Sequence, residues 1–155
     1  MEHDAFDLTL ATECAAAFCE ATGLGCMVSN GRGEVFAQAG YSCACCGLCA
    51  IAGVPKSQCL RAQNYSAHEA ERFGGKYIYC CPMGLTCFVS PIFDDLQSAV
   101  RITAGPFLMV ERDDYIDCEL NAVSPPLRTR MLQELARIPV VLAPRVNRMA
   151  TLLFM

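Results

Sequence analysis

The sequence predicts an α+β domain: a PAS-like antiparallel sheet with helices packed on it and a C-terminal helix leading out. Three observations carry this. Helical periodicity and short apolar runs of strand length succeed one another in the order helix, hairpin, loop, helix, strands, helices. Turn-forming residues join the runs 26–29 and 34–37, and 86–93 and 98–104, which reads as antiparallel hairpins. The chain has 155 residues and is 54% apolar and 18% charged, enough for one folded core and too apolar for disorder. Residues 1–155 therefore read as a single domain, with no internal repeat and no linker.

Residues 5–21 read as the first helix, with Phe6, Leu10, Cys14, Ala17, Phe18 and Ala21 at helical spacing. Gly23 and Gly25 end it. Cys26-Met27-Val28-Ser29 and Glu34-Val35-Phe36-Ala37 flank Asn30-Gly31-Arg32-Gly33 and read as a hairpin, since Asn and Gly both tolerate positive φ. Residues 40–53 are rich in Gly and Cys and read as a loop. Pro55 opens a second helix at about 55–72, with Cys59, Ala62, Ser66, Ala70 and Phe73 on one face and Gly74-Gly75 after it. Residues 76–81 form a short strand.

The apolar runs 86–93 and 98–104, joined by Asp94-Asp95-Leu96-Gln97, read as an antiparallel hairpin. Residues 107–110 continue the sheet edge after Gly105-Pro106. Asp113-Asp114 reads as a turn. Ser124 caps a further helix with Pro125 in its first turn and Leu127, Met131, Leu132 and Leu135 facing inward. Pro139 ends it, and a last helix starts near Pro144. The sequence stops at Leu152-Leu153-Phe154-Met155, still apolar and helical, which predicts a helix running on into a longer protein.

Charge and composition narrow the function. The net charge is −4, and the ten Arg and two Lys are scattered, so no basic stripe exists to track phosphates. No window approaches a membrane span, and the acidic start MEHDAFD lacks the marks of a signal peptide. A cytoplasmic, reducing compartment is expected, in which the 12 cysteines stay thiols or bind metal. No Ser/His/Asp set, paired carboxylates or phosphate loop appears, so an enzyme is not expected.

The cysteines are the distinguishing feature. Cys43-Ala-Cys45-Cys46-Gly-Leu-Cys49 holds two overlapping C-x-x-C spacings, and Cys59, Cys80, Cys81 and Cys87 follow. A tight turn lets a C-x-x-C pair point at one metal, and a helix N-terminus lowers the pKa of a thiol such as Cys59. Four soft ligands suit zinc or an iron–sulfur cluster; a thiol-lined pocket and plain core cysteines remain open. Cys14, Cys19 and Cys26 lie among apolar neighbours and read as small buried hydrophobes. His68 lies nine residues after Cys59, on the opposite face of its helix, and reads as solvated.

These residues resemble a family. Ala21-Thr22-Gly23-Leu24 with Met27-Val28-Ser29-Asn30-Gly31-Arg32-Gly33 is similar to the opening of the PocR sensory domain. Cys49, Cys59 and Tyr79-Cys80-Cys81-Pro82-Met83-Gly84-Leu85 resemble its three spaced cysteines and its C-x-x-GL motif. Ser90-Pro91-Ile92 with Ala104-Gly105-Pro106-Phe107 resembles its "PI … GPF" hairpin, and Ile138-Pro139 with the Arg145–Phe154 region its closing segment. This chain departs from the family at Pro82, where His is frequent, and in its extra thiols.

The resemblance implies a ligand-binding sensory domain of a bacterial transcription regulator or kinase, sensing a small hydrocarbon-derived molecule. It also implies an output domain elsewhere in the protein, and the terminal helices suit a homodimer. Candidate metal ligands are Cys49, Cys59 and Cys81, on which spacing and resemblance agree, and Cys46, through its C-x-x-C relation to Cys49; Cys43, Cys45, Cys80 and Cys87 are reserves. Candidate ligand-binding residues are Tyr79, Phe88, Ile92, Ile102, Phe107 and Met109. The second reading is a redox or metal sensor in which the thiol set is itself the receptor.

Overall fold

A computed structural model describes residues 8–44, 46–72, 74–92, 100–120 and 123–154, and of 153 and 154 the backbone alone. The expected α+β architecture is the one observed. Helix α1 (Leu8–Thr22) leads into β1 (Cys26–Ser29) and β2 (Val35–Ala39). Helices α2 (Leu48–Ala52) and α3 (Lys56–Arg72) follow, then β3 (Tyr77–Cys80), β4 (Thr86–Pro91) and β5 (Arg101–Phe107). Helices α4 (Arg112–Glu119), α5 (Pro125–Leu135) and α6 (Ala143–Phe154) complete the order. The strands form one antiparallel sheet in the order β2-β1-β5-β4-β3. Among the described residues no helix is long and apolar enough to cross a membrane.

Alternation along the strands gives the sheet two different faces. On one, Phe88, Ala104 and Phe107 pack with Ala15 and Phe18 of α1 and with Val146, Met149 and Ala150 of α6. Phe88 meets Phe18 and Phe107 edge-on, with ring centroids 6.3 and 5.7 Å away. On the other face Tyr79, Cys87 and Val89 pack beneath α3, against Ala62, Ala67 and Ala70. A third cluster joins Leu48 of α2 to Tyr115 of α4 and Met131 and Leu135 of α5, with Tyr41, Cys46 and Cys81 at its margin. That cluster ties the cysteine loop to the end of the sheet.

Several expectations are corrected. The loop at 40–53 contains α2, a single turn anchored by the fully buried Leu48. Asp113 and Asp114 lie in the first turn of α4, where acidic side chains suit the helix dipole, rather than in a turn. The buried stripe of α1 is Ala11, Ala15 and Phe18, one step from the expected one, so Leu10 and Cys14 are exposed and Cys14 is not a core residue. Of residues 107–110 only Phe107 lies in the sheet, as the last residue of β5, and Leu108 bridges to Val140 instead. Leu127 is exposed, and Ser124 flanks α5 without a side-chain cap bond. In the first hairpin Asn30 Oδ1 accepts from the Arg32 and Glu34 N–H groups, while the left-handed residue is Gly33, with φ +86°. Phe6, Cys45, Phe73 and the Asp94-Asp95-Leu96-Gln97 turn lie outside the described residues.

Candidate functional site

The sheet face beneath α3 and the cysteine loop bound the candidate site. Cys43 follows β2, Cys46 precedes α2, Cys49 lies on α2, Cys59 on the first turn of α3, Cys81 just after β3, and Cys87 on β4. Three features hold the loop in place. Tyr41 donates its hydroxyl to Glu134 of α5. The Gly47 N–H donates to the same carboxylate at 3.4 Å. Arg137 lies over the Tyr41 ring, 4.5 Å from its centroid. On the sheet side Cys43 Sγ is 3.6 Å from Cys87 Sγ.

The four thiols expected to bind metal share this region and perturb one another. Burial pushes the Cys59 thiol up to about 11, with the neighbouring Cys43, Cys49 and Cys46 adding to the shift. Burial likewise raises Cys81 to about 12, aided by Cys43 and Cys49, and raises Cys46 and Cys49. The thiol of Cys59 is thus raised where a lowered pKa was expected, and burial outweighs the bond donated by Gln63 Nε2 at 3.4 Å. Among the described residues no group of three or more His, Cys, Asp or Glu side chains is arranged to hold a metal ion. Of the reserves, Cys80 is exposed and Cys87 is fully buried. His68 is exposed beside Glu71, as its position on α3 predicts.

The ligand-binding candidates divide between the two faces. Tyr79 lies under α3, with its hydroxyl pKa raised by burial and then by Cys87, Cys43 and Cys59. Phe88, Phe107 and Ile102 face the opposite way and pack with α1 and α6. Ile92 lines a hollow beside α3, and Met109 lines another at the β3 edge.

Two hollows open under α3. The first, of about 260 Å³, has Met27 and Ser29 of β1 on its floor, Cys43 on one wall, and Cys59, Leu60 and Gln63 of α3 above. The second, of about 280 Å³, is lined by Asn64, Ala67, His68 and Glu71 of α3 and by Arg101 of β5. Ser29 and Arg101 are cross-strand partners, so the hollows adjoin there.

Composition and spacing did not single out Ser29, Arg101 or Thr103, yet all three are buried polar residues on this face. Arg101 is 2% exposed, and burial lowers its pKa from the usual value. The signal available in the sequence was a charge and a hydroxyl at alternate positions of an otherwise apolar strand, Val100-Arg101-Ile102-Thr103-Ala104.

A family model described as the sensory domain found in PocR matches residues 4–155. No curated protein and no solved structure matches the chain.

Proposed function

The chain belongs to the PocR sensory-domain family, and from that premise we propose that it detects a small hydrocarbon-derived molecule in the space between the sheet and α3. The first hollow carries this reading. At about 260 Å³ it lies just under the usual range of roughly 300–1,000 Å³ for ligand sites, so it suits a small molecule. Its lining mixes apolar side chains with a few polar ones, the mixture that fixes a ligand's orientation. In this reading the domain is a binding module without catalysis, and an output domain elsewhere in the protein receives the signal. Occupancy would act by shifting the population of the terminal helices, and α6 is also the surface we assign to a homodimer.

The finer part of the proposal is that Cys46, Cys49, Cys59 and Cys81 supply soft ligands for zinc or an iron–sulfur cluster. Their common location supports it; their present arrangement means that they would have to draw together and lose their protons on binding. One observation favours the alternative redox reading. Cys43 Sγ and Cys87 Sγ, 3.6 Å apart, could form a disulfide by giving two protons and two electrons to a peroxide or disulfide oxidant.

The test is one anaerobic preparation examined by elemental analysis, UV–visible spectroscopy and thiol titration, together with thermal shifts against short-chain diols and carboxylates. Zinc near one equivalent with a rise in Tm on adding at least one of these small molecules is the expected result. A visible band that peroxide removes would favour the alternative. Absence of zinc and iron would eliminate the metal part, and a flat response to every small molecule would eliminate the sensory reading of this hollow.

A further inference from the structure

The sheet face beneath α3 holds three polar side chains whose hydrogen-bonding atoms are buried and unpartnered: Ser29 Oγ, Thr103 Oγ1, and Nε and Nη2 of Arg101. Their positions are related by the strand register. Ser29 pairs with Arg101 across β1 and β5, and Thr103 lies two residues further along β5 on the same face. Buried polar atoms in folded proteins almost always find partners. Ser90, also buried, donates to the Gly75 carbonyl at 2.7 Å. Among the described residues the ion pairs of arginine are those of Arg32, Arg72 and Arg137, and none involves Arg101. The Tyr79 hydroxyl, which burial keeps neutral, is an electrostatic neighbour of Arg101.

The geometry of the free atoms states the missing partner. Nε–H and Nη2–H form one edge of the guanidinium, two parallel donors spaced to meet both oxygens of a carboxylate. Ser29 and Thr103, its neighbours in the strand register on the same face, carry hydroxyls that can donate to the same oxygens. A buried cation without a counter-ion is unfavourable, and an anionic ligand removes that penalty on arrival. The adjoining first hollow has Lys56 in its lining, which favours entry of an anion, and its apolar side chains can receive a short hydrocarbon tail. Glu71 shares the second hollow with Arg101, but it lies 4.0 Å from His68 in an exposed pair.

We propose that Arg101, Ser29 and Thr103 form the anchoring subsite of the ligand space, and that the ligand is a small carboxylate carried on a short hydrocarbon chain. The proposal rests on the sensory reading above and names the chemistry its ligand needs.

The test is calorimetric titration of the full chain with sodium acetate, propanoate and butanoate, with 1,2-propanediol, inorganic phosphate and sodium chloride in parallel. At least one carboxylate is expected to bind saturably. Arg101→Gln is expected to weaken it by about a hundredfold, the scale of breaking a buried charge-assisted pair. Arg101→Lys, which keeps the charge and loses the two-pronged edge, should weaken it too. Without ligand, Arg101→Gln should keep or raise Tm, because it removes an unpaired buried charge. Binding of the diol or of phosphate without any carboxylate would overturn the carboxylate subsite and leave the sensory reading standing. Binding by none of these would overturn both. Equal carboxylate affinity in Arg101→Gln, or a Tm several degrees lower in its ligand-free form, would show that the guanidinium is structural and would overturn the subsite alone.

Discussion

Substituting Gly25 by Ala tests how the cysteine loop is fixed to the sheet. An added Cβ would stand 2.0 Å from the Tyr41 carbonyl oxygen, 2.3 Å from its carbon and 2.8 Å from the Ser42 nitrogen. Ordinary contact begins at 3.4 Å, so the loop backbone would have to retreat by roughly 1.4 Å, the difference between 3.4 and 2.0 Å. The sheet cannot yield instead. The Gly25 carbonyl accepts the Gly105 N–H at 2.9 Å, and β1 is held between β2 and β5. The displacement therefore falls on Tyr41 and Ser42. It strains the Tyr41–Glu134 bond and the bond from Ser42 Oγ to Gln38 at 3.0 Å. Overpacking costs about 1–3 kcal/mol and each of the two strained hydrogen bonds about 1 kcal/mol, so the variant should lose about 3–5 kcal/mol. For a domain of this size that lowers Tm by on the order of 10 °C. Urea and thermal denaturation followed by circular dichroism measure the loss, and thiol titration should show faster labelling of Cys43, Cys46 and Cys49. A stability within about 0.5 kcal/mol of the parent, with unchanged labelling, would refute the idea that this contact fixes the loop.

Phe88→Ala should cost about 3–5 kcal/mol in denaturation experiments, because a fully buried ring with two edge contacts leaves a cavity that β4 cannot close. A loss below about 1 kcal/mol would mean that this face is loosely packed. Alkaline titration should destabilise the domain through Cys26, whose thiol burial raises to about 12, with a smaller contribution from Cys19. Because the folded state holds that proton more tightly than the unfolded chain, stability is complete below about pH 9 and falls between about 9 and 12. The slope is at most about 1.4 kcal/mol per pH unit for this group. Unfolding free energies at pH 8 and 10.5 should diverge less in Cys26→Ala than in the parent; an identical divergence would assign the effect to other groups.

The antiparallel sheet was readable because strands and helices differ in period, and turn-forming residues join the strands of its hairpins. What periodicity could not resolve was anything shorter than about two helical turns or lacking an apolar stripe. Helix α2 spans Leu48–Ala52 and depends on Leu48 reaching the cluster around Leu135, a tertiary contact. Helix α4 buries only Tyr115, so Arg-Asp-Asp-Tyr gave no apolar repeat to detect. The one-residue error in α1 has a similar origin. Ala, Cys and Leu recur all round it, which supports several stripes equally well, and packing against the sheet chose Ala11, Ala15 and Phe18.

The site was legible in its location and much less in its chemistry. The cysteine spacing brought attention to the loop, α3 and the β3–β4 turn, and those elements do meet. Selecting ligand-binding residues by apolar character, however, selects for the core. In a two-sided sheet the most apolar strand positions belong to the face that packs most completely, which here is the face of Phe88, Ile102 and Phe107. A sensor face must keep polar groups available for a ligand and shield them from bulk water at the same time. Its mark in a sequence is therefore polar residues in register within apolar strands, such as Ser29 on β1 and Arg101 and Thr103 on β5. Because β5 carries Arg101 and Thr103 on one face and Ile102 and Ala104 on the other, a ligand drawn onto Arg101 acts on the strand that also packs against α1 and α6. Sensing and transmission then share a single strand. If so, substitutions at Ile102 should alter the response of the terminal helices while leaving ligand affinity close to that of the parent.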